Sequence, residues 1–258
     1  LILNGKIDKA INEIKSLENK NFSDFFEAQL LLVLDSIKNN DYKTISLEGL
    51  TKHEEEGTFE YIISKGLKEY IYLFKNKKIN DELSNEFRNL SLVNQAFQNC
   101  YLDNPRTESF FLNLINAEER GYSRYVFFYM NFLLKKQKFS EAKTFYKEIN
   151  YLNSTLLVSQ SKNWLEEKNY NNFKEIFSCQ NPNDIVGEFL FLIANLYSSE
   201  GFLRESNFYF NLSNYLNSKF TFNSSLLAEN YFENKNFNKS KKILNNFSKK
   251  NKIYHWYK

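Results

Sequence analysis

Residues 195–220 read NLYSSEGFLRESNFYFNLSNYLNSKF, and residues 228–244 read AENYFENKNFNKSKKIL. Ala194, Tyr197, Gly201, Leu203, Ser206 and Phe210 are followed, each 34 residues later, by Ala228, Tyr231, Lys235, Phe237, Ser240 and Leu244. Only Gly201 against Lys235 breaks the match in chemical kind. The shared element is a small residue, an aromatic three further on, a short polar turn, a large apolar residue, and a small residue three after that. Residues three apart share a helix face, so the element reads as two helices in antiparallel contact. Ala194 and Ser206 let the backbones approach, while Tyr197 and Phe210 fill the space beside them. One hairpin cannot bury its apolar faces alone, and stacked neighbours can, so a period of this size predicts an array in which each unit contacts mainly the next.

Working outward, Phe139, Ala142, Tyr146 and Ile149 repeat the second helix after Lys135–Lys138. Tyr170 and Phe173 do so after Trp164 and the turn 166–169, with a bulky Phe in the small position. At the front, Gly5, Ile7, Ala10, Ile14 and Leu17 supply a turn and a second helix, so the chain is expected to begin in mid-repeat. Tyr42 with Ile45, Ile79 with Glu82 and Pro105 with Glu108 complete eight turn anchors: Ile7, Tyr42, Ile79, Pro105, Phe139, Tyr170, Leu203 and Phe237. Their separations are 35, 37, 26, 34, 31, 33 and 34 residues. The expected organisation is one helical-repeat array over 1–258, truncated at its N-terminus, best formed at 123–154, 187–220 and 221–253 and irregular over 46–105.

Composition agrees with helices. Seven Gly and two Pro in 258 residues leave little for the turns of a β-sandwich, a Gly-rich phosphate loop or a Rossmann crossover. A hydrophobic content of 42% with 17% aromatic excludes a disordered tail. A mean hydropathy of -0.55, with no apolar run near ~18 residues, excludes a membrane span. Two histidines and two cysteines form no metal-ligand spacing, so no metal or other cofactor is expected. Cys100 and Cys179 lie 79 residues apart, and a disulfide would need their Cα atoms within ~7 Å. In a linear array that distance is not expected, and both are read as free buried thiols. The chain begins at Leu1 rather than Met, so any export signal is invisible and the compartment stays open: cytoplasmic by default, exported or periplasmic otherwise.

These repeats resemble the tetratricopeptide family, most closely over 187–253, and the order of units is similar to tetratricopeptide proteins of alphaproteobacteria, some with export signals. Ser206, Ser213 and Ser240 stand where that family usually has alanine, Ser218 and Lys252 where it usually has proline, and Lys235 where it often has glycine. The 37 asparagines among 258 residues fit an AT-rich genome. The resemblance implies an all-α, right-handed superhelical solenoid of about seven antiparallel helix hairpins. It also implies a concave groove at positions fifteen, twelve, eight and five before each anchor. The candidate peptide-binding residues there are Arg124, Phe127, Asn131, Val158, Lys162, Phe191 and Asn195. Phe127, Val158 and Phe191 would receive side chains, and the Asn131 and Asn195 amides, which donate and accept at once, would hold a peptide main chain. The same columns contain Thr155, Glu188 and Phe222. The family's carboxylate clamp would need converging basic groups, for which only Lys162, with Arg124 and Lys135 nearby, could serve, opposed by Glu166 and Glu229.

No catalytic constellation of nucleophile, base and orienting group stands out. His53 sits among Lys52, Glu54, Glu55 and Glu56 and reads as a solvated acidic loop; His255, within Tyr254, Trp256 and Tyr257, reads as packing. The net charge is +3, yet residues 201–258 hold 10 Lys+Arg against 3 Asp+Glu, a local +7. Lys239, Lys241, Lys242, Lys249, Lys250 and Lys252 read as a solvated helix face. The expected function is a non-enzymatic protein-interaction scaffold, capturing a peptide or partner helix. The alternatives are an RNA-binding helical-repeat protein reading one base per hairpin, which the small net charge argues against, and an accessory subunit that clamps a catalytic partner.

Overall fold

The computed structural model describes residues 1–17, 25–52, 55–81, 87–116, 123–148 and 156–247. Among these residues the secondary structure is helical, without strands. In chain order the α-helices are α1 (Ile7–Ser16), α2 (Phe26–Lys38), α3 (Glu48–Thr51), α4 (Phe59–Asn76), α5 (Arg88–Tyr101), α6 (Thr107–Ile115) and α7 (Ser123–Lys135). They continue with α8 (Phe139–Glu148), α9 (Leu156–Glu166), α10 (Asn171–Ile176), α11 (Pro182–Ser199), α12 (Leu203–Leu216), α13 (Ser224–Glu233) and α14 (Phe237–Leu244). No described helix is long and apolar enough to cross a membrane.

One backbone turn recurs along the chain. Gly5, Asn40, Lys77, Asp103, Gln137, Lys168, Gly201 and Lys235 all adopt left-handed φ, between 55° and 81°. Each stands two residues before one of the eight anchors read from the sequence. At seven of them the left-handed residue donates its N–H to the carbonyl three back, and the next residue donates to the carbonyl five before itself. Gly201 to Ser198 with Phe202 to Tyr197, and Lys235 to Phe232 with Asn236 to Tyr231, are two examples. This Schellman closure satisfies the orphan carbonyls that end a helix and reverses the chain into the next. Lys77 makes the simpler variant, bonding Leu73. Glycine adopts this conformation without a Cβ clash, and lysine does not. Lys235→Gly should therefore raise stability by roughly 0.5–1 kcal/mol, and Gly201→Ala should lower it by about 1 kcal/mol, read from denaturant midpoints at constant m-value.

The irregular span has a specific cause. Ile7, Phe139, Leu203 and Phe237 are the first residues of α1, α8, α12 and α14, whereas no helix starts at Tyr42 or Ile79. The second helix after Asn40 is reduced to the single turn of α3, and residues 78–81 are non-helical.

Packing is less linear than a chain of neighbours would be. Helix α11 (PNDIVGEFLFLIANLYSS) is apolar over most of its circumference, as a helix buried on several sides must be, with Asn195 and Leu196 left exposed. It starts with Asn181 capping Asn183 N and with Pro182 in its first turn. It packs on α12 and also on α2 and α4, more than a hundred residues earlier. Gly66 of α4 leaves room for the Phe189 ring, since a Cβ there would stand 2.3 Å from it. Phe59 stacks on Tyr197 at 4.0 Å between ring centroids. The N-terminus closes onto the same block: α1 touches α12, Lys38 Nζ lies 3.4 Å from the Tyr215 ring centroid, and Tyr231 donates its hydroxyl to the Leu3 carbonyl. A contiguous apolar core runs from Ile7 to Phe247.

At Ser206 and Ser213, where the family usually has alanine, the hydroxyls are used. Buried Asn230 of α13 donates to Ser206 Oγ at 2.7 Å and to Asn207 Oδ1 at 3.0 Å, and accepts from Ser198 Oγ. Ser213 Oγ donates to the Gly187 carbonyl at 2.6 Å. An alanine at 206 would permit the same approach but leave the Asn230 amide short of an acceptor.

The expectation of free thiols is corrected here. Cys100 and Cys179 form a disulfide, with Cα atoms 5.8 Å apart. The reason is the shortness of α10, six residues long, beyond which the chain turns back beneath α7. Phe177 packs on Phe97 of α5 and Phe128 of α7, with centroids at 5.6 and 4.6 Å, and brings Cys179 to the end of α5.

Candidate functional site

Six of the seven candidate groove residues fall into three places, and the seventh, Asn195, lies apart. The first is a largely enclosed cluster around Arg124. Its Nε and Nη2 donate to the two Glu188 carboxylate oxygens, each at 2.7 Å, and Nη2 also reaches Asn223 Oδ1. The guanidinium lies over Phe191 at 4.1 Å and over Phe220 at 4.9 Å. Glu188 has no exposed side-chain surface, and burial pushes its carboxyl above the ordinary range while Arg124 pulls it back. Planar bidentate pairing on an aromatic floor is the geometry for which arginine is suited. Arg124 and Glu188, 64 residues apart in sequence and each fifteen before a turn anchor (Phe139 and Leu203), meet directly. Phe191 belongs to this cluster. Its arginine is committed to Glu188, so it has no part in a carboxylate clamp.

The second place is the core under α7. Phe127 is fully buried, with its ring against Phe128, Phe173 and Phe220. Asn131 is buried and donates its amide to the Phe173 and Phe177 carbonyls, at 2.8 and 2.9 Å, while Asn217 donates to Ile176 O. The two asparagines thus add donors at the carbonyl end of α10, where a helix leaves its last carbonyls without intrahelical partners and where Phe177 N reaches Phe173 O. The Asn131 amide serves the fold and is not presented to a peptide main chain.

The third place is open. Helices α8 and α9 face each other across a cleft of about 230 Å³, lined by Lys143, Tyr146 and Lys147 on one side and Lys162, Leu165 and Glu166 on the other. Each helix contributes positions i, i+3 and i+4, the spacing that puts three residues on one face. Leu165 and Tyr146 are the buried walls, and Tyr146 is fixed by donating its hydroxyl to the carbonyl of buried Val158. Lys143, Lys147 and Glu166 are exposed, and Lys162 is half-exposed with its Nζ 3.8 Å from Glu166. Three ammonium groups against one carboxylate give the cleft a net positive field.

No family model, curated protein or solved structure matches this chain.

Asn195 lies on the exposed face of α11 beside exposed Leu196 and outside the lining of the cleft. Lys239, Lys241 and Lys242 are exposed on α14, with Lys239 over the Tyr231 ring at 5.0 Å. Thr155, His53, His255, Lys249, Lys250 and Lys252 lie outside the described residues. The groove columns consider only the first helix of each pair, and so they pass over Lys143 and Lys147 on a second helix. The signal was in the sequence all the same: lysines at i and i+4 after the anchor Phe139 are followed, before the next anchor Tyr170, by Lys162 and Glu166 at the same spacing.

Proposed function

We propose that this chain is a non-catalytic, tetratricopeptide-like array of helical hairpins that captures a protein partner through an acidic peptide segment held in the α8/α9 cleft. The observation that supports this reading is the lysine-rimmed cleft itself. It joins an apolar floor to three cations from two facing helices, which suits a carboxylate next to an aliphatic residue. Its single Glu166 and its lack of an exposed stacking ring disfavour a run of phosphates and bases.

The test begins with the full chain as bait in its own lysate, at low and moderate salt and with or without nuclease. A discrete protein retained at moderate salt and indifferent to nuclease is the expected result. Lys143→Glu with Lys162→Glu should then weaken that partner at least about tenfold, the range of paired charge reversals at an interface, with little change in melting temperature. RNA lost on nuclease treatment would replace this reading with the nucleic-acid one, with Lys239, Lys241 and Lys242 as the first residues to neutralise.

A further inference from the structure

The only two cysteines of the chain are both buried, at 1% and 6% exposure, and sit in segments 79 residues apart. Two contacts bring the second to the first, and a third fixes its loop to α11. Phe177 is wedged between Phe97 and Phe128. Gln180 Nε2 donates to the Cys100 carbonyl at 2.9 Å. Ser178 N donates to Asp184 Oδ2 at 2.8 Å, anchoring the same loop to the first turn of α11. The loop before α11 is therefore held against the end of α5 by the packing of Phe177 and the Gln180 hydrogen bond, on either side of Cys179, and is anchored to α11 by Ser178.

We propose that the Cys100–Cys179 disulfide is a permanent clasp, installed during folding in an oxidising compartment, that ties α5 to the start of α11. Dithiol–disulfide oxidants supply the chemistry. The thiolate of one cysteine attacks a sulfur of the oxidant's disulfide to give a mixed disulfide, and the other cysteine then displaces the oxidant's thiol. The two cysteine sulfurs lose two electrons and two protons, and the oxidant leaves as a dithiol. Disulfides persist outside reducing cytosol, so a chain that depends on this bond matures where such oxidants act. Burial of both sulfurs sets the clasp apart from a redox switch, because attack by a dissolved thiol requires access to a sulfur and the fold must open first.

The experiment uses the full chain exported to an oxidising compartment, compared with the same chain made in reducing cytosol. Alkylation in denaturant followed by mass measurement counts the thiols. The exported protein should give none before reduction and two after it. The native exported protein should keep its disulfide in mild thiol reductant at temperatures well below melting. The reduced form should melt about 10 °C lower, as expected for opening a cross-link that spans this many residues. Two free thiols in the exported chain, or equal melting of oxidised and reduced forms, would overturn the clasp. Ready reduction of the native protein without loss of structure would also overturn it, in favour of a reversible switch. The thiol count is read on the unaltered chain and depends on no variant folding.

Discussion

Arg124→Met should cost about 3–5 kcal/mol of folding stability, the range for breaking a buried ion pair from one side. The cost comes less from the lost attraction than from what remains: a Glu188 carboxylate with no exposed surface and no cation. Burial alone already holds that carboxyl above its ordinary value of 4.5, and Arg124 is what opposes the rise. Without the guanidinium its pKa must climb further. A group whose folded pKa is raised adds stability below its unfolded pKa, and that stability is lost as pH rises through the folded value. The deficit of Arg124→Met should therefore be largest near neutrality and shrink as pH falls toward 4.5. Pairing it with Glu188→Leu should recover much of the loss, because an apolar pair of similar volume avoids desolvating either charge. Denaturant titrations of the two single variants and the double variant between pH 4.5 and 7.5 would decide it. A pH-independent deficit would mean that Glu188 is not the group left stranded.

The turn register was legible because it is chemically local. A helix end that needs a left-handed residue and an apolar restart leaves its mark within ten residues, as at Gly201 to Phe210 and Lys235 to Leu244. The long-range closure left no such mark. That Gly66 makes way for Phe189, or that Cys179 reaches Cys100, depends on how far the chain turns at the short α10, and six residues of Asn, Phe, Lys, Glu and Ile do not announce their length. The one available hint was α11. Its run from Ile185 to Tyr197 has too wide an apolar face for a helix flanked only by sequence neighbours, and it is the helix that α2, α4 and α12 enclose.

The candidate site divides the same way. Counting back from turn anchors places residues on a helix, but it does not tell an inward from an outward side chain once units two apart touch. Glu188 was visible in the Arg124 column, but a partner 64 residues away could be chosen only with the fold in hand. Asparagine composition was equally ambiguous. Asn131, Asn217 and Asn230 turn out to cap carbonyls or pair with serines inside the protein, whereas Asn195 faces outward.

Phe127→Ala separates a core role from a groove role most sharply. A groove residue truncated to alanine weakens its ligand and leaves the melting curve nearly unchanged. Phe127 is instead enclosed by Phe128, Phe173 and Phe220, with ring centroids at 5.2 to 5.6 Å. Its removal should open a cavity where α7, α10 and the segment after α12 meet, at a cost of about 3–5 kcal/mol. Asn131→Ala should add a smaller loss of about 1–3 kcal/mol by stranding the Phe177 carbonyl and leaving Phe173 O with the Phe177 N–H alone. The two losses should not sum, because both residues support α10 and share Phe173. Lys143→Glu with Lys162→Glu should behave in the opposite sense, sparing stability and weakening capture of an acidic partner at least about tenfold. A stable Phe127→Ala protein with impaired partner binding would return the site to the first-helix groove and empty the α8/α9 cleft of its role.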